Sequence, residues 1–409
     1  MPGPTNNKKN KKKQQKKDKS PPTQQDAMLN QPSALNQQPR TPESTRSIPN
    51  DQIQLGSLFL CLLPREMRDE IYSHLLLSTR LVSGERAHGR IDRRRIGSVP
   101  HALAILRTCR QVHAEIGRTW LQQILFSFET PEAMLNKLAN IPLATRALIR
   151  HVRVSGDPLM LSWPEDSVYY RTHQVLKLLP GLALERLTVL AGRVPEVSYQ
   201  TLDKLVRHSA GWKELRFLAF NSVFLGYKDE PLGFGGLDED MYLRVPQPAA
   251  WQDVLDKRDG AGSGASVVIY RATSKQPCSV LLQPSSRAVF AQTLPAGKNL
   301  KTFGKMEDSK LMSPGERQKE VLVVVKRGDG VDYAEKEGSP YLASGDIRED
   351  MEGQTWKQFK ADQDRRFHDD DDDLFSDLLE DEEDEPVEVE KYGHVDEYVW
   401  PPLHFEPLR

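Results

Sequence analysis

The run Leu58-Phe59-Leu60-Cys61-Leu62-Leu63-Pro64-Arg65-Glu66-Met67-Arg68-Asp69-Glu70-Ile71-Tyr72-Ser73-His74-Leu75-Leu76-Leu77 decides how this chain is read. Pro64 suits the first position of a helix, where a missing N–H costs nothing. Met67, Ile71 and Leu75 then recur at i, i+4 and i+8 and predict one apolar stripe, with Arg65, Arg68 and Asp69 elsewhere on the surface. In that register Leu63 is the N-cap, a position that normally holds Ser, Thr, Asp or Asn because their oxygens accept from the first free amides. A leucine cannot do this. Two explanations stay open. Leu62 packs back on Met67 as a hydrophobic staple, or Leu62, Leu63 and Pro64 form an apolar knob held out to another protein.

On the C-terminal side, Ser78 to Pro100 is interrupted by Gly84, Gly89 and Gly97 and carries Arg80, Arg86, Arg90, Arg93, Arg94 and Arg95, so it reads as a loop. A helix is predicted to resume from His101, with Ile105, Cys109, Val112, Ile116 and Trp120 on one stripe. Cys109 then belongs to the core. Its i, i+4 partner His113 would suit a metal, but no second ligand pair follows. Ile124 to Phe128 reads as a short strand.

These residues together resemble the F-box-like proteins of filamentous fungi. The resemblance is carried by Leu63-Pro64-x-Glu66-Met67, Ile71 and Leu75, followed by Leu106-Arg107-Thr108-Cys109-Arg110-Gln111-Val112-His113-Ala114-Glu115 and an aromatic strand. It implies a small helical module that docks on the Skp1-like adaptor protein of a cullin ubiquitin ligase. Leu63, Pro64, Met67, Ile71 and Leu75 would make that contact. One departure stands out: Pro64 and Cys109 are 45 residues apart, nearly twice the standard separation, and the Arg-rich loop is the excess.

Beyond Pro131, strands are predicted at Ile149–Val154, Leu184–Leu190 and Glu214–Phe220, separated by helices at Glu132–Ala139, Tyr170–Leu179 and Tyr199–His208. Val152, Val189 and Phe217 or Ala219 fall at equivalent positions. Such a degenerate strand–helix repeat is similar to leucine-rich repeats, whose parallel strands line one face. F-box proteins commonly use repeats of this kind to read a target. Residues 227–345 offer strand-like segments at Ser266–Arg271 and Val321–Lys326 between Gly-rich loops, and suggest a small α/β or β extension. The fold class expected is therefore α+β. It comprises a disordered basic tail (1–54), an F-box-like helical module (55–130), a short irregular strand–helix region (131–226), an extension (227–345) and a disordered acidic tail (346–409).

Charge is segregated along the chain although the formal total is −2. Residues 1–54 hold ten Lys/Arg against four Asp/Glu, whereas residues 346–409 hold seven against 23. Neither end carries the apolar surface needed to offset chain entropy. Lys8, Lys9, Lys11, Lys12, Lys13, Lys16 and Lys17 form a basic run that reads as a nuclear-import signal or a nucleic-acid contact, or else as a solubilising tail. In the acidic tail, Leu374, Phe375, Leu378 and Leu379 stand between Asp369–Asp373 and Glu380–Glu385, a composition shared by partner-binding segments.

The three cysteines are far apart and unpaired in spacing, which points to a reducing compartment, the nucleus or cytoplasm. No run is long enough to span a membrane, since the longest apolar stretch, Leu58 to Leu63, has six residues. No Gly-x-Ser-x-Gly, His-Glu-x-x-His, paired Cys-x-x-Cys or phosphate-binding loop is present, so no catalytic residue, metal or cofactor is assigned. The expectation is a non-enzymatic adaptor that brings an unknown protein substrate to a ligase. The alternative is a nuclear chromatin- or nucleic-acid-associated scaffold, its basic tail on nucleic acid and its acidic tail on histones.

Overall fold

Alternating apolar residues build the centre of the molecule. In Leu184–Leu190 and Trp212–Ala219, residues Leu187, Val189, Leu215 and Phe217 point to one side and are fully buried, while Arg186, Thr188, Glu214 and Arg216 point to the other. The computed structural model describes residues 57–84, 103–162, 167–192, 194–226, 245–276, 279–294, 296–297, 309–343, 345–351 and 353–368. Its strands are β1 (Arg80–Ser83), β2 (Leu125–Phe128), β3 (His151–Ser155), β4 (Leu159–Ser162), β5 (Ser167–Tyr170), β6 (Leu184–Leu190), β7 (Trp212–Ala219), β8 (Ser266–Ala272), β9 (Arg287–Phe290) and β10 (Val321–Lys326). Eight of them form a mixed sheet in the order β1-β2-β3-β6-β7-β10-β8-β9, and β4 pairs with β5 as a separate antiparallel ribbon. The first five strands are parallel, and β10 runs antiparallel to both its neighbours.

The helices are α1 (Leu58–Leu62), α2 (Arg65–Leu77), α3 (Arg110–Ile116), α4 (Trp120–Gln123), α5 (Pro131–Leu138), α6 (Leu143–Arg146), α7 (Thr172–Val175), α8 (Pro195–His208), α9 (Val223–Gly226), α10 (Ala249–Asp259), α11 (Ser279–Leu282), α12 (Ser309–Met312), α13 (Ile347–Asp350) and α14 (Trp356–His368). Local chemistry sets several of their ends. Thr130 caps α5 by accepting from the Ala133 amide at 3.1 Å, with Pro131 in the first turn, and Pro195 starts α8 in the same way. Met134, Leu135 and Leu138 of α5, Leu202 and Leu205 of α8 and Trp251 of α10 join the sheet's apolar face in one core. No helix among the described residues is long and apolar enough to cross a membrane.

Several expectations change. The Ser78–Pro100 segment is not wholly a loop: Arg80–Ser83 is a strand, paired in parallel with Leu125–Phe128. The helix predicted from His101 is broken. A single 3₁₀ turn covers Ala104–Arg107, Cys109 caps α3 with its sulfur 3.4 Å from the Val112 amide, and Gly117 ends α3 at φ 53°. The equivalence of Val152 with Val189 and Phe217 is two residues out. Val154 is the residue opposite Val189, which pairs with Phe217, and the face is unchanged because strands repeat every two residues. The acidic tail was placed from 346, yet Ile347, Met351, Trp356 and Phe359 are buried in the main core. Trp356 also donates from Nε1 to Asn136 Oδ1 at 2.7 Å. The sheet itself runs across residues 130 and 226, drawing strands from all three middle segments.

One buried group makes the fold sensitive to acid. His173 at the start of α7 is buried, its ring 6.4 Å from that of His208. Burial first, then the charges of His208, Arg171, Lys204 and Lys177, hold its pKa down to about 3. A folded value below the unfolded 6.5 means that its contribution is complete above pH 6.5 and is lost as pH falls through about 3. Urea unfolding between pH 6.5 and 5 should therefore lose about 1–2 kcal/mol from this residue. In H173Q that part of the slope should disappear; an unchanged slope would assign it elsewhere.

Candidate functional site

The decisive helix is rotated relative to its expected orientation. Arg68, Tyr72 and Leu76 face inward from α2, whereas Met67, Ile71 and Leu75 are 50%, 42% and 40% exposed. Leu62 and Leu58 on α1 are more open still, at 70% and 74%. Arg68, expected on the surface, is the buried one. Pro64 is the N-cap of α2 rather than its first residue, and Leu63 terminates α1 half-buried. With Leu62 and Met67 both exposed, a buried staple does not hold this junction together.

A polar network holds it instead. The Arg68 guanidinium donates to Glu115 on α3 at 2.5 and 3.1 Å, and its remaining nitrogen donates to the carbonyls of Leu63 (2.5 Å) and Leu60 (3.3 Å). Those carbonyls belong to the last turn of α1, so one cation both caps that helix and ties it to α2. Tyr72 Oη donates to Glu115 at 2.9 Å and Gln111 Nε2 at 3.0 Å. Arg65 donates to the Glu115 carbonyl at 2.8 Å while pairing with Asp69 at 2.7 Å. Burial pushes the Glu115 carboxyl up, but the hydrogen bonds from Arg68, Gln111 and Tyr72 outweigh it and hold it below the ordinary carboxylate range. Burial, with Glu115 beside it, raises Tyr72 to about 12.

Beneath this network, Tyr72, Leu76, Val112, Ile116 and Ile124 form a small separate core, flanked by Phe59, Ile105, Cys109 and Trp120. The two-helix edge is therefore fixed from behind. Its outer side presents Leu58, Leu62, Met67, Ile71 and Leu75. The structure thus brings four of the five predicted contact residues, Pro64, Met67, Ile71 and Leu75, to the surface, and leaves Leu63 half in. Leu58 and Leu62 extend the patch. Arg68 and Glu115, which sequence reasoning missed, position it. The signal was present: Arg68, Tyr72 and Leu76 have the same i, i+4, i+8 spacing as the predicted stripe.

Other candidates fall elsewhere. Cys109 serves as a cap, and His113 Nδ1 lies 3.1 Å from the Leu106 carbonyl. No group of three or more His, Cys, Asp or Glu placed to hold a metal occurs among the described residues. Lys8, Lys9, Lys11, Lys12, Lys13, Lys16 and Lys17, most of the Arg-rich loop and the run Asp369–Glu385 lie outside the described residues. Comparisons with protein-family models, with curated proteins and with solved structures find no match.

Proposed function

We propose that this chain is a protein-interaction adaptor that docks through the exposed edge of α1 and α2, in the manner of an F-box-like module on a Skp1-like adaptor of a ubiquitin ligase. One observation carries the reading: an amphipathic helix turns a charged residue inward and an apolar stripe outward. Burying a Leu, Ile or Met side chain is worth roughly 1.5–3 kcal/mol. A fold that leaves Met67, Ile71 and Leu75 in solvent forgoes that gain, while the Arg68–Glu115 pair secures the arrangement. An apolar patch held in this way is what a helix-recognising partner needs. The rest of the folded unit would then carry a protein target, and catalysis would belong to the enzyme brought near it.

The test is direct binding of purified Skp1 to the full chain and to a Met67→Asp, Ile71→Asp double variant. Both positions are exposed, so the variant should keep its thermal midpoint while affinity falls by about 100-fold or more, as expected for central anchors. Leu76→Ala, which empties the core behind the patch, should instead lower the midpoint itself. If Skp1 binds wild type and double variant equally, or binds neither, the adaptor reading fails.

A further inference from the structure

The second face of the sheet holds a depression that the adaptor reading does not use. Its floor is Val268, Leu322 and Val324, and its cavity measures about 230 Å³. Across the rows of the sheet, Arg186, Glu214 and Lys326 lie opposite one another, and Thr188, Arg216 and Val324 form the next row. Farther along, α11 covers the face, with Val280 and Leu281 packed on Leu218 and Leu322. The depression opens where that cover stops.

Arg287 stands at this border. It donates to the carbonyls of Val280 (2.6 Å) and Leu281 (2.9 Å), and its guanidinium lies 5.9 Å from the Tyr270 ring centre. Burial, followed by the like charge of Arg216, lowers its pKa from the ordinary arginine value. Among the described residues lining the cavity, Arg216, Arg287 and Lys326 face one carboxylate, Glu214. That carboxylate already accepts from Arg216 at 2.6 Å and from Arg186 at 3.1 Å. The site is thus a cationic rim around an apolar floor.

We infer that this depression binds a carboxylate-rich peptide segment with embedded apolar side chains, and that its resident is the chain's own segment 369–385. Twelve of those seventeen residues are Asp or Glu, and Leu374, Phe375, Leu378 and Leu379 sit between the two acidic runs. Acidic groups match the rim and the four apolar side chains match the floor. The segment follows α14 directly, so tethering supplies an effective concentration of roughly millimolar. Its extended length of about 55–60 Å compares with a diameter of ~50 Å for a folded unit of roughly 300 residues. Occupied in cis, the site is shielded from acidic segments of other proteins. This inference does not depend on the α1–α2 edge, and Skp1 binding does not report on it.

The test is zero-length carbodiimide crosslinking of the full-length chain, which joins carboxylates to lysine amines in contact, read by peptide mass spectrometry on a mixture of ¹⁴N- and ¹⁵N-labelled protein. The expected result is an intramolecular link from Lys326 to residues 369–385, about fivefold or more above links from the exposed Lys213 and Lys336. It should fade at about 0.5 M salt, where charges are screened within a few ångströms. It should also fall in R287Q, with a circular dichroism melt confirming the fold. A predominantly intermolecular link overturns occupancy in cis. Equal linkage to all three lysines, or none to Lys326, overturns the site. An excess of the free 369–385 peptide should compete with the link; failure to compete in a folded chain would overturn it as well.

Discussion

Glu115→Ala should lower the stability of the chain by about 2–4 kcal/mol, because it removes the carboxylate that accepts from Arg68, Tyr72 and Gln111 at once. Arg68 is 7% exposed and would be left as a buried cation, partnered by the carbonyls of Leu60 and Leu63 alone. The lower end of that range applies because the pair lies under an exposed edge that can admit water. Guanidinium unfolding of E115A and E115Q separates the contributions, since the amide keeps one acceptor. E115Q should therefore lose less. Folded, Glu115 is held below the usual carboxylate value, so its contribution is complete above about pH 4.5 and is lost as pH falls through the folded value. Tyr72 runs the other way: raised to about 12, it supports the fold below pH 10 and loses that support as pH climbs through 12. The same variant should also weaken Skp1 binding, because the α1–α2 junction is no longer tied down. A variant as stable as wild type would show that packing, not this network, sets the edge.

Asp259→Ala should have a larger effect, about 3–5 kcal/mol, the range for breaking a deeply buried ion pair. Asp259 lies at the end of α10 and accepts from Arg327 through two bonds of 2.7 Å and from the Gly328 amide at 2.9 Å. The two side chains are 0% and 4% exposed, and the Arg327 guanidinium lies 5.7 Å from the Trp212 ring centre. Arg258 stands next to them, lowered to about 10 by burial and then by the charge of Arg327, with Asp259 acting against that loss. Without the carboxylate, two buried guanidiniums would repel each other. Burial raises the Asp259 carboxyl, but Arg327 and the Gly328 amide overcome it, so the group stays ionised well into acid. Its support is present above about pH 4 and is lost as pH falls through the folded value. D259N keeps the acceptor for Gly328 and should cost less than D259A. Equal costs for the two variants in thermal unfolding would show that charge is not the operative term.

The parallel strands were legible because their chemistry is local. Leu184–Leu190 alternates strictly on the core side, and Val321–Lys326 is a β-branched run bounded by turns, so period and composition agree. Strand β9 gave less signal, with four residues carrying one buried-side aromatic, Phe290. Helix α14 was missed for another reason. Its acidic surroundings dominate the composition, whereas its attachment rests on two residues, Trp356 and Phe359, three apart on one face. That i, i+3 aromatic pair was the available sign. Strand β1 was masked by arginine-rich context, since Leu81 and Val82 become a strand only by finding Phe126 and Ser127.

The sequence alone determined that residues 65–77 form a helix, because helix-forming residues follow a proline and apolar groups recur every four positions. It equally determined the strand positions of the central sheet. It could not determine which side of that helix faces in, because two stripes with identical spacing, 67/71/75 and 68/72/76, lie one residue apart and differ by about 100°. Only the tertiary structure chose, by placing Glu115 from a helix some forty residues away where it satisfies Arg68 and Tyr72 together. A buried charge is tolerated only where its partner is already fixed, and that condition belongs to the assembled fold rather than to any local run of residues.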